Sequence, residues 1–256
     1  MNNDPSARRL LVFADPAALA RAAAEEVTRV VIAAVRANGR ATVALSGGST
    51  PKVLYGLLAD EPAFRERLPW AQTHFFFGDE RHVPPDDKDS NFRMAREAMF
   101  DKLADTLPPE NIHRVHGENP DAYAAAAAYA REVSAFFGDT APRFDLTLLG
   151  MGPEGHTASL FPGTTGLRET TPVAAAYIEK LAAYRITFTP TTLKNSAVLL
   201  LLVAGKDKAE TLVTVLEGPS EPDKFPVQGI SANDGGTLWL LDQAAAASLA
   251  DAPSGK

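Results

Sequence analysis

The sequence predicts an α/β fold, in which a mostly parallel β-sheet is flanked by helices on both faces in a Rossmann-like arrangement. Short apolar runs alternate along the chain with longer segments of helical periodicity, and this order is typical of parallel sheets. The apolar runs contain few polar residues, as expected of strands that are covered on both faces. No repeat, low-complexity linker or change in composition divides the 256 residues. We therefore expect residues 1–256 to form a single α/β domain.

The first predicted helix follows a short apolar strand over residues 10–13 and has a clear signal at each end. Asp15 followed by Pro16 is typical of an N-cap with proline at the first helical position. Gly39 is typical of a helix C-terminus, and the apolar positions over residues 17–37 fall on one helical face. The second helix is predicted from residue 51, with Ser49 or Thr50 as its N-cap. The other helices are predicted over residues 90–103 with Ser90 as N-cap, 119–138 and 209–216, with a helical turn over 191–194 and a closing helix capped by Asp242.

The remaining strands are predicted from apolar runs that turn residues bound. They cover residues 41–45, 73–77, 111–116, 144–150, 196–204 and 237–241. Residues 172–178 and 184–189 alternate in the manner of two paired strands. We expect this pair to form a small β-rich subsheet or lid beside the main sheet.

The composition excludes several classes of function. Hydrophobic residues make up 45% of the chain and charged residues 22%, as in ordinary globular proteins. A net charge of -7 argues against a nucleic-acid partner, which would require a basic face. The absence of cysteine excludes disulfides, thiolate metal sites and cysteine nucleophiles.

No segment of the sequence has the pattern of a membrane anchor. Residues 1–10 lack the long apolar stretch of a signal peptide. The longest aliphatic run, over residues 197–204, is far too short to span a bilayer. We expect a cytoplasmic protein without a membrane partner.

A glycine-rich turn follows the second predicted strand. It contains Ser46, Gly47, Gly48, Ser49 and Thr50. Glycines allow the backbone amides to be exposed, and a helix N-terminus behind them favours an anion such as phosphate. An ordinary strand-to-helix turn is the alternative, but two glycines beside three hydroxyls favour a phosphate site.

Three further loops that follow predicted strands carry unusual polar residues. Residues 79–82 combine two acids, an arginine and a histidine, which are costly to bury unless they are solvated or used. Residues 154–159 contain Glu154 and His156 after a strand that ends in glycines. Lys208 lies in the first turn of a predicted helix, where a cation is unfavourable for the helix dipole unless it binds a ligand.

In a parallel sheet, these four loops leave the same edge and can converge on one site. Together they offer a phosphate cradle, cations and an imidazole close to carboxylates. The chain has no G-x-S-x-G nucleophile motif, and His113 and His116 lack a carboxylate at metal-ligand spacing. The combination favours acid–base chemistry on a phosphorylated small molecule.

These loops also resemble a known family. The motifs are SGGSTP over residues 46–51, FFFGDERHVP over 75–84 with the following Ser90-Asn91, LLGMGPEGHTASLFPG over 148–163, Arg185-x-Thr, and Gly205-x-x-Lys208. They resemble the 6-phosphogluconolactonase family of the glucosamine-6-phosphate deaminase/isomerase superfamily. The resemblance covers residues 10–249 in order, although residues 224–236 match only loosely. GHTASLFPG is its most specific part.

The resemblance implies a role for each motif, with a small-molecule sugar phosphate as substrate and with no metal or cofactor. His156 would be the general base that activates water. The 6-phosphate would bind the amides of residues 47–50 together with Arg185 and Lys208, while Asp79 and Arg81 would line the sugar end. Arg81 would also stabilise the oxyanion or the product carboxylate. Monomer and homodimer both stay open.

One departure concerns the residue two positions before the histidine. The resemblance implies aspartate there, and this chain has Glu154. The longer side chain keeps the charge but shifts its reach by one methylene. We expect it to orient His156 rather than to contact the substrate.

The sequence disfavours three other functions. The related deaminases follow the imidazole with Asn-Glu-Pro, whereas this chain has Leu160-Phe161-Pro162 and lacks that acid. A non-catalytic sugar-phosphate sensor is disfavoured by the intact imidazole loop and by the absence of a basic DNA-binding segment. A dinucleotide-binding enzyme is disfavoured because no G-x-G-x-x-G follows the first strand.

Overall fold

The structure is a computed structural model that describes residues 9–234 and 236–250. We expected no export signal at the N-terminus, and residues 1–8 of that segment lie outside the described residues. The strands are β1 Arg9–Phe13, β2 Ala41–Leu45, β3 Thr73–Phe77, β4 Asp79–Arg81, β5 Ile112–His113, β6 Leu146–Gly150, β7 Val173–Ile178, β8 Ala183–Phe188, β9 Val198–Val203 and β10 Gly236–Asp242. The helices are α1 Pro16–Asn38, α2 Ser49–Asp60, α3 Pro62–Arg65, α4 Asn91–Ala98, α5 Ala122–Phe137, α6 Pro190–Lys194 and α7 Ala209–Glu217.

Two sheets organise the described chain. The larger has seven parallel strands in the order β1-β10-β9-β6-β2-β3-β5. The smaller is antiparallel, in the order β4-β8-β7. The predicted fold class, a mostly parallel α/β sheet with a small β-rich subsheet, is confirmed.

The strand order reverses between β2 and β6, because the chain continues from β2 to β3 on one side and from β6 to β9 on the other. Open α/β sheets bind ligands at the carboxyl ends of the strands beside such a reversal. All five residues of β2 are buried, as are the first four of β6, so the centre of the sheet is closed to solvent. One hydrophobic core runs from α1 to β10.

Both predicted ends of α1 are confirmed. The Asp15 carboxylate accepts a hydrogen bond from the Ala18 amide at 2.8 Å. Gly39 closes the helix with φ 75°, in the left-handed region that glycine adopts without strain. The buried face between these ends packs on β2 and β10.

Several predicted boundaries were wrong. Helix α2 begins at Ser49 rather than at residue 51, and its N-cap is Gly48, so neither Ser49 nor Thr50 caps it. The strand predicted over residues 111–116 is limited to β5. Helix α5 begins at Ala122 because the Asp121 carboxylate caps it. Helix α4 ends at Ala98 and continues only as a short 3-10 turn over Phe100–Lys102.

Two larger corrections concern a loop and the closing segment. The charged loop after β3 contains β4, which pairs with β8 and is largely buried. The closing helix does not form, and residues 243–250 contain turns and bends. The Asp242 carboxylate binds the amide of Ala245 as a cap would, but it also binds the Gly205 amide.

Within residues 9–234 and 236–250, no helix has the length and apolar character needed to cross a bilayer.

Candidate active site

A cavity of about 470 Å³ lies where the loops after β2, β3 and β6 meet the β7–β8 hairpin. Most residues predicted for the site line it. They are Ser46, Gly47, Gly48, Asp79, Arg81, Glu154, His156 and Arg185. The convergence follows from the parallel sheet, because β2, β3 and β6 end at the same edge.

Three predicted residues do not line the cavity. Ser49 and Thr50 lie within the first turn of α2. Lys208 lies in the turn before α7, mostly buried, and its ammonium pairs with Asp207 at 2.8 Å. Lys208 nevertheless lies close enough to lower the pKa of His156 through its charge.

His156 and Glu154 form a pair across the glycine-rich loop. The imidazole Nδ1 lies 2.9 Å from Oε2 of Glu154. A carboxylate has no proton to give at neutral pH, so Nδ1 is the donor and Nε2 carries the free lone pair. Burial lowers the pKa of His156 to about 4; Asp79 opposes this shift, and Lys208 and Arg185 add to it. The imidazole is therefore neutral at pH 7.

The backbone around His156 is packed too closely to admit other side chains. A Cβ on Gly152 would lie 2.0 Å from Cε1 of the imidazole. The Gly152 amide donates to the His156 carbonyl at 2.9 Å, which closes the loop. The Phe161 ring stacks on the imidazole with centroids 4.0 Å apart and planes 21° apart. Ala158 has φ 47°, an uncommon and costly conformation that the surrounding contacts hold.

Residues 225 and 227 pack against the loop that carries His156. They belong to the stretch 224–236, which resembles the family only loosely. The Val227 amide donates to the Gly155 carbonyl at 3.0 Å. A Cβ on Gly155 would lie 2.8 Å from Cδ1 of Phe225. Phe225 and Val227 thus support the loop from outside the cavity. Residue 235 of the loosely matched stretch lies outside the described chain.

Asp79 is buried and is fixed by two neighbours. Its Oδ2 accepts a hydrogen bond from the Ser159 hydroxyl at 2.7 Å, and its backbone carbonyl accepts from the Asn91 amide group at 2.9 Å. Asn91 also lies against the glycine-rich turn of residues 46–50, since a Cβ on Gly47 would lie 2.0 Å from Oδ1 of Asn91. Asn91 was not predicted as a site residue, and its only signal in the sequence was the Ser90-Asn91 pair of the family motif.

Glu80 lies between the predicted site residues Asp79 and Arg81, and its carboxylate has a structural role. Its carboxylate accepts from the backbone amides of Arg81, Asn91 and Phe92 and from the Ser90 hydroxyl. Burial raises the pKa of Glu80, although the backbone amides oppose this shift. The carboxylate therefore joins β4 to the N-terminus of α4.

Arg81 and Arg185 are direct cross-strand neighbours on β4 and β8. The Arg81 guanidinium donates to the Asp89 carbonyl, and that of Arg185 donates to the Tyr184 carbonyl at 3.2 Å. Among the described residues, neither forms a salt bridge. Burial lowers the pKa of Arg185, and the Arg81 charge adds to this. Two like charges directly opposite each other are destabilising unless an anion binds between them.

The β7–β8 turn supplies two cavity residues that were not predicted, Lys180 and Leu181. The Lys180 ammonium forms an ion pair with Glu154. A lysine on an exposed hairpin turn has no distinguishing pattern in the sequence, so only the fold reveals its position.

The parallel sheet and the cavity at its carboxyl edge, with a neutral imidazole on a carboxylate and two adjacent arginines, define an α/β enzyme for small anionic substrates. A family profile described as glucosamine-6-phosphate isomerases/6-phosphogluconolactonase matches residues 14–239. The chain belongs to this family, as its motifs predicted.

Individual proteins support this placement. A 6-phosphogluconolactonase from Synechocystis sp. is 39% identical over 226 residues, which cover 87% of this chain and 90% of the relative. One from Nostoc sp. is 38% identical over 241 residues and covers 93% and 97%. Among solved structures, the 6-phosphogluconolactonase from Trypanosoma cruzi superposes with a TM-score of 0.80 at 29% identity, covering 98% of this chain and 100% of that one.

Proposed function

We propose that this enzyme hydrolyses 6-phospho-D-glucono-1,5-lactone to 6-phospho-D-gluconate in the oxidative pentose phosphate route, with His156 as general base. The observation that carries the proposal is the His156–Glu154 hydrogen bond of 2.9 Å at a cavity lined by Arg81 and Arg185. The matched relatives bear the name 6-phosphogluconolactonase, which supplies the substrate class.

The proposed reaction begins when Nε2 of His156 accepts a proton from water. The water oxygen bonds to the lactone carbonyl carbon, and the carbonyl electrons move to its oxygen. Arg81 stabilises this oxyanion, since donors that are aimed at developing charge lower the barrier. The bond from carbon to the ring oxygen then breaks, and the ring oxygen takes the proton from the imidazolium. Water is consumed, and a hydroxyl and a carboxylic acid result, which ionises at neutral pH.

Glu154 has an orienting role in this mechanism. Its hydrogen bond fixes the proton on Nδ1, and the carboxylate stabilises the imidazolium that forms transiently. Asp79 lies at the sugar end, where Ser159 and Asn91 fix its orientation.

The phosphate is assigned to the amides of residues 47–50 together with Arg185 and Lys208. The N-cap of the 12-residue helix α2 is Gly48, which has no side chain to accept a hydrogen bond from the first amides of the helix. These amides can therefore bind a phosphate. Binding energy from a phosphate remote from the reacting carbon can be used to hold the lactone in position. Ser46, on the cavity wall, completes this loop.

Two alternatives predict different products. Deamination of glucosamine 6-phosphate requires an acid after the imidazole, but the apolar ring of Phe161 stacks on His156 at this point. A sugar-phosphate sensor would bind the ligand without turnover. The proposal needs no metal or cofactor, because water, a base and oxyanion donors suffice for lactone opening. It includes a cytoplasmic location, a single domain over residues 1–256, and a monomer or homodimer.

The deciding experiment measures lactone hydrolysis with substrate that is generated in situ, after subtraction of spontaneous opening. The same preparation is assayed for ammonia release from glucosamine 6-phosphate. Lactone opening well above background without ammonia is expected. Ammonia release would contradict the argument from Phe161, and binding of 6-phosphogluconate without turnover of either substrate would favour the sensor.

A further inference from the structure

Lys180 lies on the turn that joins β7 to β8, directly over the catalytic loop. It belongs to the 3-10 turn Glu179–Leu181, and the hairpin is completed by Ala182 with φ 45°. Its ammonium forms an ion pair with Oε1 of Glu154 and lies 4.9 Å from the centroid of the Phe161 ring. The Lys180 side chain is 52% exposed, whereas that of Glu154 is 28% exposed, so the lysine covers the carboxylate from the solvent side.

The two oxygens of Glu154 have different partners. Oε1 binds the Lys180 ammonium, and Oε2 binds Nδ1 of His156. Phe161 contacts both ends of this chain of groups, because its ring stacks on the imidazole and lies under the ammonium. The carboxylate is thus held between a cation and the imidazole.

We propose that Lys180 is a positioning residue that acts through Glu154, holding the carboxylate against Nδ1 of His156 so that Nε2 remains the basic nitrogen. This inference rests on the proposed function only for its kinetic consequence. The contacts themselves do not depend on that function.

The charges that face His156 determine the sign of the effect. Asp79 raises the pKa of His156, and Lys208 and Arg185 lower it. Glu154 is balanced by Lys180. When the ammonium is removed, the Glu154 carboxylate is left uncompensated and favours the imidazolium. The pKa of His156 should rise, and the acid limb of the pH–rate profile should move to higher pH.

The test compares Lys180→Met and Lys180→Arg with the wild type, each also in a Glu154→Gln background. Lys102→Met is the matched control, because Lys102 forms a comparable surface ion pair with Asp60 at 2.6 Å and does not line the cavity. Two readouts are used. The first is the pH dependence of kcat and kcat/KM with the lactone. The second is an NMR titration of the imidazole of His156, assigned among the five histidines by its loss in His156→Ala.

We expect Lys180→Met to raise the pKa of His156 by roughly 0.5–1 unit, since a half-exposed neighbouring charge gives a modest shift. We expect kcat at pH 7 to fall about tenfold through loss of orientation, with KM nearly unchanged. Lys180→Arg keeps the positive charge, so its His156 pKa and its kcat should both stay close to those of the wild type. In the Glu154→Gln background, Lys180→Met should add no further shift.

Other results would overturn the inference. An unchanged NMR pKa in Lys180→Met means that Lys180 does not act on the pair. A rise in KM of equal size in both backgrounds means that Lys180 binds the substrate directly. Failure of the proposed function gives a different pattern. If the wild type does not hydrolyse the lactone but Lys180→Met still raises the pKa of His156, the lactonase assignment is contradicted. The action of Lys180 on His156 through Glu154 is then still supported.

Discussion

At the residue scale, three neighbours hold His156. Glu154 binds Nδ1, the Phe161 ring stacks on the imidazole, and Gly152 approaches it so closely that a Cβ would collide. Among the described residues Nε2 has no partner. The protein thus presents one nitrogen of a neutral imidazole to the cavity, as a base for water requires.

His156→Ala should lower kcat for lactone hydrolysis by roughly 10²–10⁴-fold, the usual contribution of a positioned general base. The control is His116→Ala, which should leave kcat unchanged because His116 is exposed, pairs with Glu118 and does not line the cavity. The measurement is steady-state kinetics on variants whose circular dichroism matches the wild type. A folded His156→Ala with an unchanged rate would refute the assignment.

Arg185→Ala and Lys208→Ala should raise KM, because a phosphate anchor contributes binding in both the ground state and the transition state. A tenfold increase in KM corresponds to the loss of about 1.4 kcal/mol of binding. Arg143→Ala removes an exposed arginine that pairs with Asp234 and should leave KM unchanged. A loss of kcat at constant KM would contradict the phosphate role of either residue.

The convergence of candidate site residues in chemically distinctive loops could be predicted from the sequence. His156 and Glu154 follow a strand that ends in glycines, and the structure places them in contact. Asn91 and Lys180 could not be predicted from their own surroundings, because each reaches the site through a long-range contact. Asn91 depends on the pairing of α4 with β4, and Lys180 depends on the packing of a hairpin over residues 154–161.

At the element scale, strand β4 shows how a tertiary contact overrides local pattern. Its three residues are all charged, so the sequence predicted a solvated loop or a functional one. Pairing with β8 and the hydrogen bonds to Glu80 make it a buried strand. The partner strand is about a hundred residues away in the chain, and no local pattern contains this information.

Glu80→Ala should destabilise the protein by roughly 3 kcal/mol, since it leaves the buried amides of Arg81, Asn91 and Phe92 without their acceptor. The comparison is Glu97→Ala, at an exposed carboxylate on the same helix α4 that pairs with Arg93, for which little change is expected. Urea unfolding measures both. Equal stability of the two variants would show that Glu80 is dispensable for joining β4 to α4.

At the scale of the whole molecule, the order of strands and helices followed from the sequence because buried strands and capped helices carry strong local signals. The main failures were the closing helix and short elements such as β4 and β5. Residues 243–250 have high helix propensity in their alanines, but they form turns and bends, and the Asp242 carboxylate that was predicted to cap a helix also binds the Gly205 amide. Strand β5 has two residues, and only its pairing with β3 defines it.

Stability should decrease in mild acid, because two histidines are held neutral in the fold. Burial lowers the pKa of His74 from 6.5 to about 4, and the neighbouring His113 and Arg40 add to this. His156 is lowered to about 4 as well. Below pH 6.5 the unfolded chain binds protons that the folded chain does not. The free energy of unfolding should therefore fall from about pH 6.5 to about pH 4 and then lose this dependence.

The measurement is urea unfolding at intervals between pH 7.5 and pH 4. His74→Gln should reduce the decrease, whereas His116→Gln, at an exposed site, should not. The wild type and His74→Gln losing stability in parallel would show that His74 does not contribute.

The two sheets divide the candidate site between them. Loops of the seven-stranded sheet hold His156 and Glu154, and the three-stranded sheet holds Arg81 and Arg185. The sheets are joined at Gly78, whose amide bonds to Leu45 at the end of β2 and whose carbonyl accepts from Phe188 at the end of β8. The spacing between the sheets therefore sets the distance from His156, where the carbonyl reacts, to Arg185, which helps to anchor the phosphate. Lactones with a shorter or longer carbon chain between these two groups should reach only one of these residues at a time.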